Sequence, residues 1–180
     1  MIGFASPIYL SGRLQTILSC LILALMVIAI GTALGFEHIG GYMPCKLCLE
    51  ERIPYYTGIP LMIITLALSL TGKPGFLIRL LFLITAFLMI YNLGLSIYHA
   101  GAEYKFWPGP TDCSAAATAI TSDANDLLAN LNKKRPPSCD TAAGYFLGLS
   151  FAGWNAVSSL FLAFLALVGT FCTYKKNGKH

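Results

Sequence analysis

The chain has 180 residues, of which 56% are hydrophobic and 11% are charged, whereas an average soluble domain has about 25% charged residues. This composition excludes an ordinary soluble globular domain, and the length predicts one domain over residues 1–180. The net charge of +4 comes from basic residues scattered among short segments between apolar runs, so the chain lacks the continuous basic face of a protein that binds nucleic acid.

Four uncharged stretches follow one another along the chain, each close to or longer than the roughly 20 residues that a helix needs to cross a bilayer. They cover residues 14–36, 53–72, 80–98 and 141–174. Backbone groups in lipid must pair internally, and no stretch alternates like a barrel strand, so we expect four transmembrane helices over about 14–36, 53–72, 80–98 and 144–173. The alternative for the first stretch, a cleaved signal peptide, is disfavoured because secretory apolar cores run about 7 to 15 residues.

Four spans place the loops of residues 37–52 and 99–143 on one side of the membrane and both termini on the other. Each side carries six Lys and Arg residues, but those on the side of the termini lie in shorter segments. This higher basic density predicts cytoplasmic termini by the positive-inside rule. The run Lys133, Lys134 and Arg135 near the fourth span opposes that orientation.

The six cysteines are divided between the loops and the spans. Cys45, Cys48, Cys113 and Cys139 fall in the two loops that share a side, whereas Cys20 and Cys172 lie within spans, where they are expected to act as small apolar residues. Disulfide bonds persist in oxidising compartments and not in the cytosol. The cysteines therefore favour the same orientation as the charge density, with both loops outside.

Cys45 and Cys48 form a C-x-x-C motif immediately before the second span. Such a small ring staples little, and C-x-x-C pairs are typical of thiols with shifted pKa values and of redox exchange. A helix beginning near Cys45 and the charge of Arg52, four residues beyond Cys48, predict a lowered pKa for Cys48. Half of a zinc site and a pair of incidental thiols remain alternatives for the two cysteines. An interfacial anchor remains the alternative for Arg52. Haem attachment is excluded because Leu49, and not His, follows the motif.

The second pair, Cys113 and Cys139, brackets a segment of 25 residues. A disulfide closing such a loop would stabilise the fold by roughly 3 to 4 kcal/mol, so a structural staple is one interpretation. The other interpretation is an exchangeable disulfide, because the prolines before both cysteines favour an exposed, extended backbone and an exposed disulfide is readily exchanged. Between them, apolar side chains recur at helical spacing within residues 120–131, and Ser122 is a possible N-cap. This pattern predicts a short amphipathic helix, which lies either on the membrane surface or folded against the loop.

Several aromatic residues near the ends of the spans are typical of an interfacial belt. A role in lining a cofactor site is the alternative for some of them. The residues are Tyr55, Tyr56, Tyr91, Tyr98, Tyr104, Phe106 and Trp107.

Together these features resemble the bacterial disulfide bond formation protein B family, DsbB. The resemblance rests on four spans, on Pro-Cys-x-x-Cys followed by Glu51-Arg52, and on Pro-Gly-Pro-x-x-Cys with a further cysteine in the second loop, and it extends over residues 14–174. It implies an all-α, polytopic membrane four-helix bundle with a short amphipathic helix in the second periplasmic loop. The implied activity is that of a thiol:quinone oxidoreductase in the lipid of the bacterial inner membrane, with both termini cytoplasmic.

The resemblance also implies roles for individual residues. Cys113 and Cys139 would form the disulfide that takes electrons from a DsbA-like periplasmic thioredoxin-fold oxidase, with Cys113 in the mixed disulfide. Electrons would pass to Cys45 and Cys48, and from Cys48 to ubiquinone or menaquinone. The quinone-binding residues would be Arg52 and His99, with Glu51 pairing with Arg52 and Glu103 as a further candidate; no metal is expected.

Two other functions remain as alternatives. A vitamin K epoxide reductase-like protein also has four or five spans and two cysteine pairs, but it carries its C-x-x-C late in the chain. A non-catalytic membrane protein with a four-cysteine metal site would need all four loop thiolates in one tetrahedron, and the second pair, Cys113 and Cys139, lacks the short spacing typical of zinc ligands.

Overall fold

A computed structural model describes residues 12–71, 75–110 and 139–171. Its elements in chain order are the helices α1 (Gly12–His38), α2 (Lys46–Glu50), α3 (Ile53–Leu70) and α4 (Gly75–Glu103), the strands β1 (Tyr145–Phe146) and β2 (Leu149–Ser150), and the helix α5 (Phe151–Phe171). Four helical segments are long and apolar enough to cross a membrane: α1, the segment of α2 and α3 together, α4 and α5. The predicted all-α membrane fold with four spanning helices is therefore confirmed, while the predicted amphipathic helix lies outside the described residues.

The four long helices pack around a core built from one stripe of each helix. On α1 this stripe repeats at helical spacing through Leu18, Ile22, Met26 and Ile30, all of them buried. The most extensive packing is between α4 and α5, where Gly169 lies against the ring of Phe82. Many apolar side chains on the outer faces are exposed, as expected for helices whose surroundings are lipid.

The start of the last helix differs from the expectation. Residues 145–150 form a two-strand antiparallel hairpin with Tyr145 opposite Ser150, and α5 begins only at Phe151. The turn residues Leu147 and Gly148 have φ values of 52° and 81°, which a two-residue hairpin turn requires. An uncharged stretch does not distinguish a hairpin from a helix, so the sequence pattern missed this element.

Helix α4 continues past the uncharged stretch to Glu103. Its last turns are covered by the chain that follows, because the Trp107 indole nitrogen donates a hydrogen bond to the Tyr98 carbonyl oxygen at 2.8 Å and the two rings stack. His99 and Glu103 in these last turns are buried inside the protein, where His99 contacts Cys45 and Glu51. Polar groups can therefore occupy the end of a spanning helix without facing lipid.

Candidate functional site

The C-x-x-C motif lies at the start of the short helix α2. Cys45 is its N-cap, with extended backbone, and its Sγ accepts a hydrogen bond from the backbone N–H of Cys48 at 3.3 Å. The two Sγ atoms lie 3.0 Å apart, and both cysteines are free thiols. Capping by sulfur thus places both thiols at the N-terminal end of α2, where the helix dipole favours negative charge.

The sulfur that is stabilised as a thiolate is that of Cys45. The hydrogen bond with the Cys48 thiol lowers the pKa of Cys45 from 9.0 to about 4, with a further contribution from His99, against the opposing effect of burial. The expectation from sequence assigned the lowered pKa to Cys48 through Arg52. That expectation is wrong, because the pKa of Cys48 is raised by its hydrogen bond with Cys45 and by burial. The guanidinium of Arg52 pairs with Glu37, and the imidazole of His99 faces Cys45.

A buried imidazole and a buried carboxylate continue from Cys45. His99 Nε2 lies 3.5 Å from Cys45 Sγ, and His99 Nδ1 lies 2.9 Å from Glu51 Oε1. The side chains of His99 and Glu51 are only 3% and 8% exposed. This order of nucleophile, imidazole and carboxylate is the arrangement that activates a sulfur nucleophile by proton transfer.

Arg52 is paired with a different carboxylate from the one expected. Its guanidinium forms a salt bridge with Glu37 at the end of α1, whereas the Glu51 carboxylate contacts His99 and Asn155. The reason is the break between α2 and α3, where Glu51 and Arg52 precede Pro54 in the first turn of α3. Glu37 was missed by the sequence analysis, although it is the acid that ends the first uncharged stretch.

A cavity of about 400 Å³ opens beside these groups. Its polar end includes Cys48, Arg52 and His99, whereas Cys45 is not part of its wall. Apolar side chains of α1 and α5 form much of the remaining wall, among them Leu25, Ile28, Phe36, Phe151, Phe161 and Leu162. A mostly apolar cavity of this size with a few convergent polar groups is typical of a small-molecule site.

Glu103 lies on the other side of the imidazole from Glu51. Its Oε1 is 3.7 Å from His99 Nε2, its side chain is 4% exposed, and it also lines the cavity. The sequence identified it as a further candidate, four residues after His99. The structure places it within reach of the imidazole.

The second cysteine pair enters the described residues through Cys139, which is disulfide-bonded. Cys139 is 2% exposed and packs in one cluster with Cys45 and Leu47, against which Cys48 also packs. Lys105 holds this segment on α4 by donating to the Asp140 carboxylate at 2.8 Å and to its carbonyl oxygen at 2.6 Å. Cys113 lies outside the described residues, and so does its predicted pairing with Cys139.

The four-cysteine metal site does not fit this geometry. Cys45, Cys48 and His99 have their ligand atoms within 4.8 Å of one another, but Cys139 is disulfide-bonded and has no thiolate to offer. Two thiolates bound to one tetrahedral zinc ion at about 2.3 Å each would lie about 3.8 Å apart, whereas the two Sγ atoms are 3.0 Å apart. The sulfur spacing suits thiol exchange better than metal binding.

One comparison with known proteins identifies a family. The family model described as disulfide bond formation protein DsbB matches residues 15–169. An uncharacterized protein, RP370, of Rickettsia prowazekii (strain Madrid E) is 24% identical over 172 residues, which cover 95% of each chain. No solved structure matches the chain.

Proposed function

Since the chain belongs to the DsbB family of membrane oxidoreductases that form disulfide bonds, we propose that it passes electrons from a periplasmic dithiol protein to a membrane quinone. The cysteines that carry the electrons would be Cys45, Cys48, Cys113 and Cys139. The family membership favours this function over that of a vitamin K epoxide reductase-like protein.

The observation that carries the proposal is the order of the sulfurs relative to the cavity. Disulfide-bonded Cys139 packs against Cys45, Cys45 lies 3.0 Å from Cys48, and Cys48 reaches the cavity. Thiol exchange requires a thiolate beside the disulfide that it attacks. Electrons leave the Cys113 and Cys139 couple only when Cys139 is the thiolate and Cys45 with Cys48 is the disulfide, and a Cys139 sulfur released by the donor would lie beside Cys45. The order of the sulfurs therefore supports electron transfer from the Cys113 and Cys139 couple to the Cys45 and Cys48 couple, and out through Cys48.

The cavity fits the chemistry of a quinone. A quinone is an apolar ring with two carbonyl oxygens, and a bound quinone would accept the two electrons and two protons that the Cys45 and Cys48 dithiol releases when it becomes a disulfide. The apolar wall from α1 and α5 suits the ring, and the polar end with Arg52 and His99 suits a carbonyl oxygen. The residues present therefore fit ubiquinone or menaquinone.

His99 and Glu51 handle the proton of Cys45. The imidazole Nε2 faces Cys45 Sγ, and the Glu51 carboxylate accepts a hydrogen bond from the opposite ring nitrogen. The carboxylate stabilises the imidazolium that forms when His99 takes the proton. The Cys45 thiolate is then ready to form the disulfide with Cys48, whose Sγ lies 3.0 Å away, as two electrons pass to a bound quinone.

Arg52 acts on the cavity from its polar end. Its guanidinium is a fixed positive charge that stabilises negative charge developing on an oxygen bound there. Its salt bridge with Glu37 holds the guanidinium in place at the cavity wall. Glu37 is therefore a positioning residue for Arg52.

The electron donor would be a DsbA-like oxidase of the thioredoxin fold, and Cys113 would form the mixed disulfide with it. The protein would lie in the bacterial inner membrane with both termini in the cytoplasm, so that the two cysteine couples face the oxidising periplasm. This orientation supplies the donor with access to the second loop and the quinone with access from lipid.

An assay of quinone reduction tests the proposal. The detergent-solubilised protein is mixed with a reduced thioredoxin-fold donor and ubiquinone or menaquinone, and the quinone absorbance is followed. Cys48→Ala should reduce turnover by at least about 10³-fold, because Cys45 then has no partner for a disulfide and no sulfur of the pair reaches the cavity. The matched control is Cys20→Ala, which removes a free thiol on the exposed face of α1 and should leave turnover unchanged. Turnover retained by Cys48→Ala would refute the proposal.

A further inference from the structure

Asn155 on α5 connects the carboxylate beside the imidazole to the interior of the helix bundle. Its Nδ2 donates hydrogen bonds to Glu51 Oε2 at 2.9 Å and to Ser96 Oγ at 2.8 Å. Its Oδ1 accepts a hydrogen bond from the Tyr55 hydroxyl at 2.7 Å. One amide therefore joins α5, the turn after α2, α4 and α3 at a single point.

The partners fix the orientation of this amide. A carboxylate only accepts hydrogen bonds, so Glu51 must face the NH₂ end of Asn155, and the hydroxyl of Tyr55 is left to donate to the carbonyl end. Tyr55 is 2% exposed and also lies 3.5 Å from Ser159 Oγ. Tyr55 was expected in the interfacial aromatic belt, and that expectation is wrong, because its hydroxyl is buried in this polar network.

The orientation is transmitted to Cys45 through two further hydrogen-bonded groups. With Oε2 held by Asn155, the Glu51 carboxylate presents Oε1 to His99 Nδ1 at 2.9 Å. The Nδ1–H then donates to Glu51, which leaves Nε2 as the ring nitrogen that faces Cys45 Sγ at 3.5 Å. The ring nitrogen able to take the proton of Cys45 is thereby selected by a hydrogen bond made on α5.

We propose that Asn155, oriented by Tyr55, is a positioning residue that holds Glu51 and His99 in the arrangement in which His99 Nε2 takes the proton from Cys45 Sγ. The inference rests on the proposed thiol oxidoreductase function. In this step the S–H bond of Cys45 breaks, an N–H bond forms at Nε2, and the Nδ1–H stays hydrogen-bonded to Glu51. No electrons are transferred, so the step needs no oxidant.

The charged and titratable groups around this step are contributed by each neighbouring element. None of them is removed from the protein when Asn155 is replaced, so a change in the behaviour of Cys45 reports on the position of Glu51 and His99. Within the described residues these groups are Cys48 and Glu51 next to the motif, Tyr55 on α3, Glu103 on α4, and the Arg52 and Glu37 pair beside the cavity.

The test measures how fast iodoacetamide alkylates Cys45 at different pH values. The full-length reduced protein in detergent is labelled, and Cys45 is separated from Cys48 by peptide mass spectrometry. Asn155→Leu should move the pH midpoint of Cys45 alkylation upward by at least about one unit. In the quinone assay it should lower kcat about tenfold, because proton transfer is impaired. Asn155 also lines the cavity, so the alkylation midpoint, which needs no quinone, is the measurement that isolates the positioning of Glu51 and His99.

Two further variants separate positioning from general loss of structure. Tyr55→Phe removes only the hydroxyl that orients the amide and should move the midpoint in the same direction by a smaller amount. Thr85→Val removes another buried hydroxyl, which donates to the Leu81 carbonyl oxygen within α4 away from the cavity, and should leave the midpoint unchanged. Tyr55→Phe also decides the question if Asn155→Leu fails to fold.

The inference is overturned if Asn155→Leu and Tyr55→Phe keep the midpoint of the unmodified protein, or if Thr85→Val moves it equally. Alkylation requires neither quinone nor a donor protein. A shifted midpoint together with no quinone reduction by the unmodified protein would therefore leave this inference standing and refute the proposed acceptor.

Discussion

The charge of Cys45 depends on neighbours that act in opposite directions. The hydrogen bond with Cys48 and the imidazole of His99 favour the thiolate, whereas burial disfavours it. The hydrogen bonds prevail, and the pKa of Cys45 falls to about 4. At neutral pH Cys45 of the reduced protein is therefore a thiolate, the reactive form of a cysteine, and it lies 3.0 Å from Cys48, with which it would form a disulfide once the pair gives up two electrons.

This pKa predicts an unusual pH dependence for the reactivity of Cys45. In the reduced, folded protein the alkylation rate of Cys45 should stay nearly constant from pH 9 down to about pH 5. It should then fall about tenfold per pH unit below about pH 4, because the thiolate becomes protonated. The same protein unfolded in denaturant is the control, and its Cys45 should lose reactivity from about pH 8.5 downward. A folded protein that loses reactivity between pH 9 and pH 7 would contradict the assignment of the thiolate.

The same shift has a consequence for stability. A thiol whose pKa is lower in the folded protein than in the unfolded chain stabilises the fold fully above the unfolded value. For Cys45 this contribution is complete above about pH 9, declines as the pH falls, and is lost once the pH passes below about 4. Acid should therefore destabilise the reduced protein partly through Cys45.

The sequence predicted which residues lie near the sulfurs better than it predicted their partners. Cys48, Arg52, Glu51 and His99 all line one cavity, while their roles there stay predictions. The pairing was wrong because Glu51 and Arg52 sit in the break between two helices, where a change of a few backbone angles decides which neighbour each side chain meets. Asn155 could not be found at all, since a single asparagine in an apolar helix has no spacing that relates it to a motif over 100 residues away.

The helices are held at distances that particular glycines permit. A Cβ at Gly169 would come within 2.6 Å of the Phe82 ring, which is fully buried between α4 and α5. A Cβ at Gly94, on the exposed face of α4, would meet nothing within 4 Å. Both glycines lie in uncharged helical stretches, so their different roles depend on packing and not on local sequence.

Replacing these two glycines by alanine should have opposite effects. Gly169→Ala should lower the free energy of unfolding by about 1 to 3 kcal/mol, because the buried Phe82 ring has no room to move away. Gly94→Ala should leave it unchanged or raise it by up to about 1 kcal/mol, since alanine is the better helix former and finds open space. Thermal unfolding of both variants in the same detergent, followed by circular dichroism, measures the difference. Equal stability of the two variants would show that α4 and α5 pack differently.

The number and type of the long elements could be predicted because a bilayer demands long uncharged helices. Their ends could not, for two physical reasons. The hairpin of residues 145–150 is as apolar as the helix that follows it, and the last turns of α4 carry a buried His99 because Cys45 and Glu51 pack against it. Both features depend on contacts between segments distant in the chain or on turn geometry, which hydrophobicity does not encode.

At the scale of the whole molecule, the structure leaves two possible orientations of the protein in the membrane. Cys45 and Cys139 pack in one cluster, so the segment before α2 and the segment before β1 lie at the same end of the bundle. The four spanning helices then fix all connections relative to that end. What remains is which side of the membrane that end faces, and the two proposed redox couples would function only in an oxidising compartment.

Reporter fusions distinguish the two orientations. Alkaline phosphatase, which needs disulfide bonds, should be active when fused after Gly40 in the first loop and inactive when fused after His180. A green fluorescent protein at the same two positions should give the reverse pattern, because it fluoresces when it folds in the cytoplasm. The expected pattern follows from the denser Lys and Arg residues beside the termini and from the placement of Cys45 with Cys139. Active phosphatase after His180 would place both cysteine couples in the reducing cytosol, where a disulfide at Cys139 would not persist and the proposed electron path would have no donor.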